Sequence, residues 1–238
     1  MSALVGVMLR ELGSFFRTPV GWLACAIFAF LSALFVAPQT LVPGEPATLR
    51  SFFAIAHWLL LFVAPSLSMR LLAEEQRTGT AETLMTSPAS DWAVVFGKHL
   101  AACAFLLVML APTLAFPAAL EYASDPDYGP ILAGYLGLTL TGVLYLSVGL
   151  LFSALTSSQV IAFLGTLLFF VALAFASGQG ASYAPAPVDG FLRALSLDAR
   201  LADFARGVID TKHIVFFLAT SAWIVSLAVV PLEFRRWR

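Results

Sequence analysis

The ionisable residues of this chain gather into short clusters, and the long stretches between them carry no charge. Those stretches limit the fold most, because about 20 apolar residues in a helix match the roughly 30 Å hydrocarbon core of a bilayer. Thr18 to Gly44 is uncharged, and Val20 to Val36 within it is almost wholly apolar. Ser51 to Met69 lies between Arg50 and Arg70, His99 to Leu120 between Lys98 and Glu121, and His213 to Leu232 between Lys212 and Glu233. Tyr128 to Val188 is an uncharged run of about 60 residues, roughly 90 Å as helix, which suits two crossings with a turn at Thr156-Ser157-Ser158-Gln159. The runs are continuous rather than alternating, which excludes a closed β-barrel. The sequence predicts an all-α polytopic membrane protein, one domain over residues 1–238, with six transmembrane helices at 20–41, 52–73, 99–120, 131–153, 160–176 and 213–232.

Composition agrees, with 60% hydrophobic and 11% charged residues and a net charge of -1. A soluble enzyme and a nucleic-acid partner are both excluded on these grounds. Cys25 and Cys103 sit inside apolar runs and offer neither metal-ligand spacing nor a disulfide framework.

Lys/Arg counts set the orientation. With the N-terminus in the cytoplasm, that side holds Arg10, Arg17, Arg70, Arg77, Lys98, Arg235, Arg236 and Arg238, against Arg50, Arg193, Arg200, Arg206 and Lys212 outside. Both termini are therefore expected inside, and the first apolar run, longer than the core of a secretory signal, is expected to stay uncleaved. Ahead of it, Leu4, Val5, Met8, Leu9, Leu12, Phe15 and Phe16 share one helical arc opposite Gly6, Arg10, Gly13 and Arg17. This pattern predicts an interfacial helix over 1–17, with Arg10, Glu11 and Arg17 at the headgroup level, or alternatively a helix packed on the spans.

Ion-coupled transport needs ionisable groups at membrane depth, and only His57 falls inside a predicted span clear of its ends, where Arg70, His99 and His213 stand. A single histidine there is read first as a hydrogen-bond partner of a neighbouring helix. Glu74-Glu75 followed by Arg77 has the wrong spacing for an intramembrane CAAX-type protease and reads as a solvated helix end. Gly97-Lys98 is followed by His99, with Trp92 where a phosphate-binding loop needs its first glycine. Any ATP, with its Mg, would be held by another chain, and no cofactor is expected on this one.

The segment Arg70 to Leu100 carries the most information. Gly79 stops the extension of the second span, Thr80 caps a short helix that Pro88 ends, and Ser90-Asp91 caps the helix climbing into the third. Leu84 and Met85 are apolar on a loop facing the cytosol and call for a groove on a partner or a place against the spans, while Glu82 can pair with a basic residue. The pattern Glu74, Glu75, Gly79, Thr80, Glu82, Leu84, Pro88, Gly97 and Lys98 resembles the permeases of type-2 ABC exporters. Arg10-Glu11-Leu12 before Thr18-Pro19, and Gly207 to Asp210 before the last span, extend the resemblance along the whole chain. The chain looks most like the short gliding-motility-type permeases and the membrane subunit of the copper-enzyme maturation exporter, differing chiefly in length and in lacking a large outer domain.

This resemblance implies six spans in the bacterial inner membrane, a coupling helix at Thr80 to Ser87 that docks on ABC ATPase subunits, and a second copy or a paralogous permease as partner. From the residues alone, a channel or membrane scaffold without ATP coupling stays open beside it. In the outer segment, Leu197, Leu201, Phe204 and Val208 recur at helical spacing, with Asp198, Arg200, Asp203 and Arg206 on the other side. Residues 184–212 are therefore expected to form an amphipathic hairpin between spans five and six, its charges paired along the helix as Arg200/Asp203 and Asp203/Arg206. It would act as an outer gate or rest on the membrane as a linker.

Overall fold

The computed structural model describes residues 3–40, 48–79, 90–123, 125–185 and 188–236. Every regular element among them is helical. Helix α1, Ala3–Arg17, turns through 71° at Thr18 into α2, Pro19–Thr40, whose first residue is a proline pre-set for a helix start. Helix α3, Arg50–Ser68, runs through Met69 into α4, Arg70–Thr78. Ser90 caps α5, Asp91–Leu110, by accepting a hydrogen bond from the Ala93 amide at 3.2 Å. A 3₁₀ turn, Ala111–Leu114, leads from α5 into α6, Ala115–Ala123. Next come α7, Tyr128–Leu155, and α8, Gln159–Phe175. A π-helical turn, Ala176–Gly180, extends α8 towards Tyr183. Two short helices, α9 (Val188–Ala194) and α10 (Leu197–Ala205), precede α11, Thr211–Leu227, and α12, Val230–Arg236.

Five of the described helical runs are long and apolar enough to cross a membrane: Arg50–Thr78, Asp91–Tyr122, Tyr128–Leu155, Gln159–Tyr183 and Thr211–Phe234. The bent pair of α1 and α2 brings the number to six if it counts as one span. The α7 helix is the hub, with 72% of its most apolar stretch buried against 22% for α8. Lipid is as apolar as leucine, so burial between spans gains little hydrophobic energy and close packing takes over. Accordingly α7 is lined with small residues, and Phe53, Phe204, Leu106 and Ser68 lie over its Gly134, Gly137, Gly142 and Gly149.

At Met69 the α3–α4 run is interrupted, and Ser153 of α7 fills the gap. Its hydroxyl donates to the Met69 carbonyl at 2.9 Å and accepts from the Leu72 and Ala73 amides at 3.0 and 2.9 Å. In the sequence Ser153 reads only as a small packing residue; here it supplies backbone partners that apolar surroundings lack. Gln76 donates to the Ala154 carbonyl at 3.0 Å, which fixes α4 to the same end of α7.

Candidate functional site

Three separate motif pieces meet at one end of the bundle. The Lys98 side chain, on α5, is only 1% exposed, and its ammonium lies 2.8 Å from a Glu75 oxygen on α4 and 3.0 Å from a Glu11 oxygen on α1. Arg10 approaches the same Glu75 oxygen at 3.6 Å. A buried ammonium is tolerable only when paired and hydrogen-bonded, so the three helices are held together as a charged unit. Gly97 makes the approach possible: a Cβ there would stand 3.0 Å from the Leu4 carbonyl oxygen and from the Val7 side chain, both on α1.

The structure places Arg10, Glu11 and Arg17 around a cleft of about 600 Å³ together with Arg70, Glu74 and Lys98. Arg70 donates to the Thr18 hydroxyl at 3.2 Å, and its guanidinium lies 4.7 Å from the centre of the Phe15 ring. Phe15 in turn stacks on Phe105 at 4.7 Å, which pins the Thr18-Pro19 corner to α5. Helix α1 packs along α5 with Glu11 turned inward against the buried ammonium, the packed one of the two arrangements expected for it. One reading from sequence changes here. Glu75 is a paired, largely covered carboxylate rather than a solvated helix end, while its neighbour Glu74 is exposed. Lys98 was legible only as part of a motif, since nothing in its flanking residues signals a buried partner.

The expected coupling segment falls between two described helices. Gly79 ends α4 in the left-handed conformation at φ 73°, and Ser90 restarts the chain at α5. Thr80, Glu82, Leu84, Met85 and Pro88 themselves lie outside the described residues.

At the opposite end, α10 is fastened to two spans by histidine–aspartate pairs. Buried His57 of α3 lies 3.0 Å from Asp198 through Nε2, and the Tyr145 hydroxyl of α7 lies 3.3 Å from its Nδ1. The hydrogen bond from His57 holds the Asp198 carboxyl below the usual carboxylate range. Asp203 lies 3.1 Å from Nε2 of His213, at the start of α11, and Arg200 donates to Nδ1 of the same ring at 2.9 Å. Arginine has no acceptor, so His213 accepts at Nδ1 and donates from Nε2 to Asp203. The Arg200 guanidinium also covers Phe216 at 3.8 Å and donates to the Ala194 carbonyl of α9.

These contacts replace the expected pairing of Arg200, Asp203 and Arg206 along the helix. Sequence spacing favours neighbours on one helix, but buried imidazoles from the spans take the two aspartates. Leu197, Leu201 and Phe204 form the buried face of α10, with Phe204 over Gly137. Val208 does not join them and is 52% exposed. Gly207, at φ 88°, ends the helix with Gly207 N–H to Phe204 and Val208 N–H to Asp203 hydrogen bonds, turning the chain away one residue too early.

A family model described as "ABC-2 family transporter protein" matches residues 6–192, which takes in Arg10, Glu11, Glu75 and Lys98. The chain is 26% identical over 158 residues to the "Probable multidrug ABC transporter permease YbhR" of Escherichia coli K12, an alignment covering 59% of this chain and 42% of the relative. The protein of the same name from Escherichia coli O157:H7 matches equally. The alignment thus spans less than half the length of these relatives.

Proposed function

Since the chain belongs to the ABC-2 family of transporter proteins, we propose that it is the membrane-spanning permease subunit of an ATP-driven exporter, working with separate ABC ATPase subunits. The observation that carries this reading is the Lys98 cluster, which ties both helices flanking residues 80–89 to α1. A push on that segment reaches α4 and α5 together, and through them the spans they continue. ATP and Mg belong to the partner, and the coupling role falls to Thr80, Glu82, Leu84, Met85 and Pro88.

The chain works in the bacterial inner membrane, with the Lys98 end and both termini facing the cytoplasm. It pairs with a second copy or a paralogous permease, because six spans alone enclose a path poorly. At the outer end, α10 acts as a gate, its apolar face seated on α7 and its aspartates tied to His57 and His213. The similarity to a permease named for multidrug transport supports export without fixing the cargo.

The test is co-purification of the ATPase with Glu82→Lys and Leu84→Asp variants. Both should insert in the membrane yet lose the partner or uncouple hydrolysis from export, because a truncated anchor at such an interface typically costs about 1 to 4 kcal/mol. Undiminished association and transport in both would return the chain to the channel or scaffold reading. Ser87→Cys and Ser124→Cys, in a background lacking Cys25 and Cys103, test orientation: the first should react only from the cytoplasm, the second only from outside.

A further inference from the structure

At the α10 end, a pocket of about 340 Å³ opens between α3 and α10. We propose that it binds an anionic amphiphile of the bilayer, with the headgroup between Arg50 and Arg206 and the tail along Phe53, Trp58 and Leu201.

The chemistry of the lining carries this. Arg50 is the first residue of α3 and Arg206 caps the end of α10, and both line this one pocket. Both residues are exposed, and neither side chain makes an ion pair or hydrogen bond among the described residues. The one carboxylate lining the pocket, Asp198, is already bound to His57 at 3.0 Å. Phe53, Ala54, Trp58, Leu201, Ala202 and Ala205 give the pocket an apolar wall beside His57, and Trp58 is 48% exposed.

Arg50 and Glu75 belong to opposite ends of one helical run of 29 residues. Such a run is roughly 40 Å long, which puts the two arginines at the headgroup level of the leaflet away from Lys98. Two cations at a polar boundary above an apolar wall fit a single phosphate, carboxylate or sulfate attached to a hydrocarbon tail. They do not fit a cation, and a free anion would leave the apolar wall unused. The α10 side of the pocket lies beyond the residues matched by the family model, and the site does not depend on the exporter reading.

Trp58 supplies the reporter. In the full-length chain with Trp22, Trp92, Trp223 and Trp237 replaced by Phe, its fluorescence is titrated in mixed micelles with brominated phosphatidylglycerol or brominated phosphatidylcholine. The anionic lipid should reach half-quenching at a mole fraction about tenfold lower than the zwitterionic one, as two cations near an anionic headgroup allow. Arg50→Gln with Arg206→Gln should bring the curves together, and Arg50→Lys with Arg206→Lys should restore most of the difference. Glycerol phosphate at millimolar concentration should not relieve the quenching. Equal quenching by both lipids, a difference that survives the double glutamine variant, or displacement by the free headgroup would each overturn the proposal.

Discussion

Replacing Lys98 by methionine probes the charged unit directly. Methionine keeps the length and apolar volume of the stem, so little packing is lost. What remains is two carboxylates that each lay within hydrogen-bonding distance of one ammonium, at 3.0 and 2.8 Å, and are therefore no more than about 6 Å apart. At an effective dielectric of about 20 their repulsion comes to about 3 kcal/mol, at the low end of the about 3 to 5 kcal/mol for breaking a buried pair. Glu11 and Glu75 keep side-chain exposures of 15% and 19%, and Arg10 remains near Glu75, so the lower figure applies. For a chain of this size the melting temperature should fall by about 6 to 12 °C, followed by circular dichroism in detergent. Adding Glu11→Gln and Glu75→Gln to Lys98→Met should recover most of that loss, because an uncharged replacement of a buried ion pair is close to neutral. An unchanged melting temperature in Lys98→Met, or a triple variant no more stable than the single, would refute the electrostatic account.

Ser153→Ala should cost about 1 to 3 kcal/mol by stranding the Leu72 and Ala73 amides, read as the same thermal shift and as faster hydrogen exchange at those two residues. Gly97→Leu should lift α1 from α5 and make a Val7→Cys thiol reactive to a soluble maleimide, while an unreactive thiol would show that α1 tolerates the added side chain. The Asp198 carboxyl is depressed in the folded chain, so its contribution is present above the ordinary value near 3.9 and is lost as pH falls through the lower folded value. Exchange of the α10 amides should therefore stay slow down to about pH 4 and quicken below it, and Asp198→Asn should remove that step. Leu201→Ser with Phe204→Ser should abolish export or leak while ATPase association persists; unchanged transport would make α10 a linker.

The spans were legible because charge cannot sit unpaired in hydrocarbon, a rule that acts on each residue singly. The start of α5 followed from Ser90, whose capping chemistry is local. Lys98 and Ser153 were not legible in the same way. Each acts through partners far away in sequence, and a lysine beside a glycine or a serine four residues after Gly149 looks the same whether or not those partners exist. The outer helix shows both sides: its apolar spacing predicted Leu201 and Phe204, while its charges went to His57 and His213, which no spacing rule on α10 could name.

Glu11 and Lys98 stand 87 residues apart, which bears on how the protein is made. At ordinary rates of synthesis Glu11 leaves the ribosome roughly 4 to 17 s before the lysine that neutralises it. Throughout that interval the carboxylate lacks its partner, so α1 should wait at the membrane surface and dock only when α5 has been inserted. A surface-lying stage of α1, ended by the insertion of α5, is therefore the expected order of assembly. A nascent chain arrested before Lys98 should leave α1 open to protease, and one arrested after α5 should not.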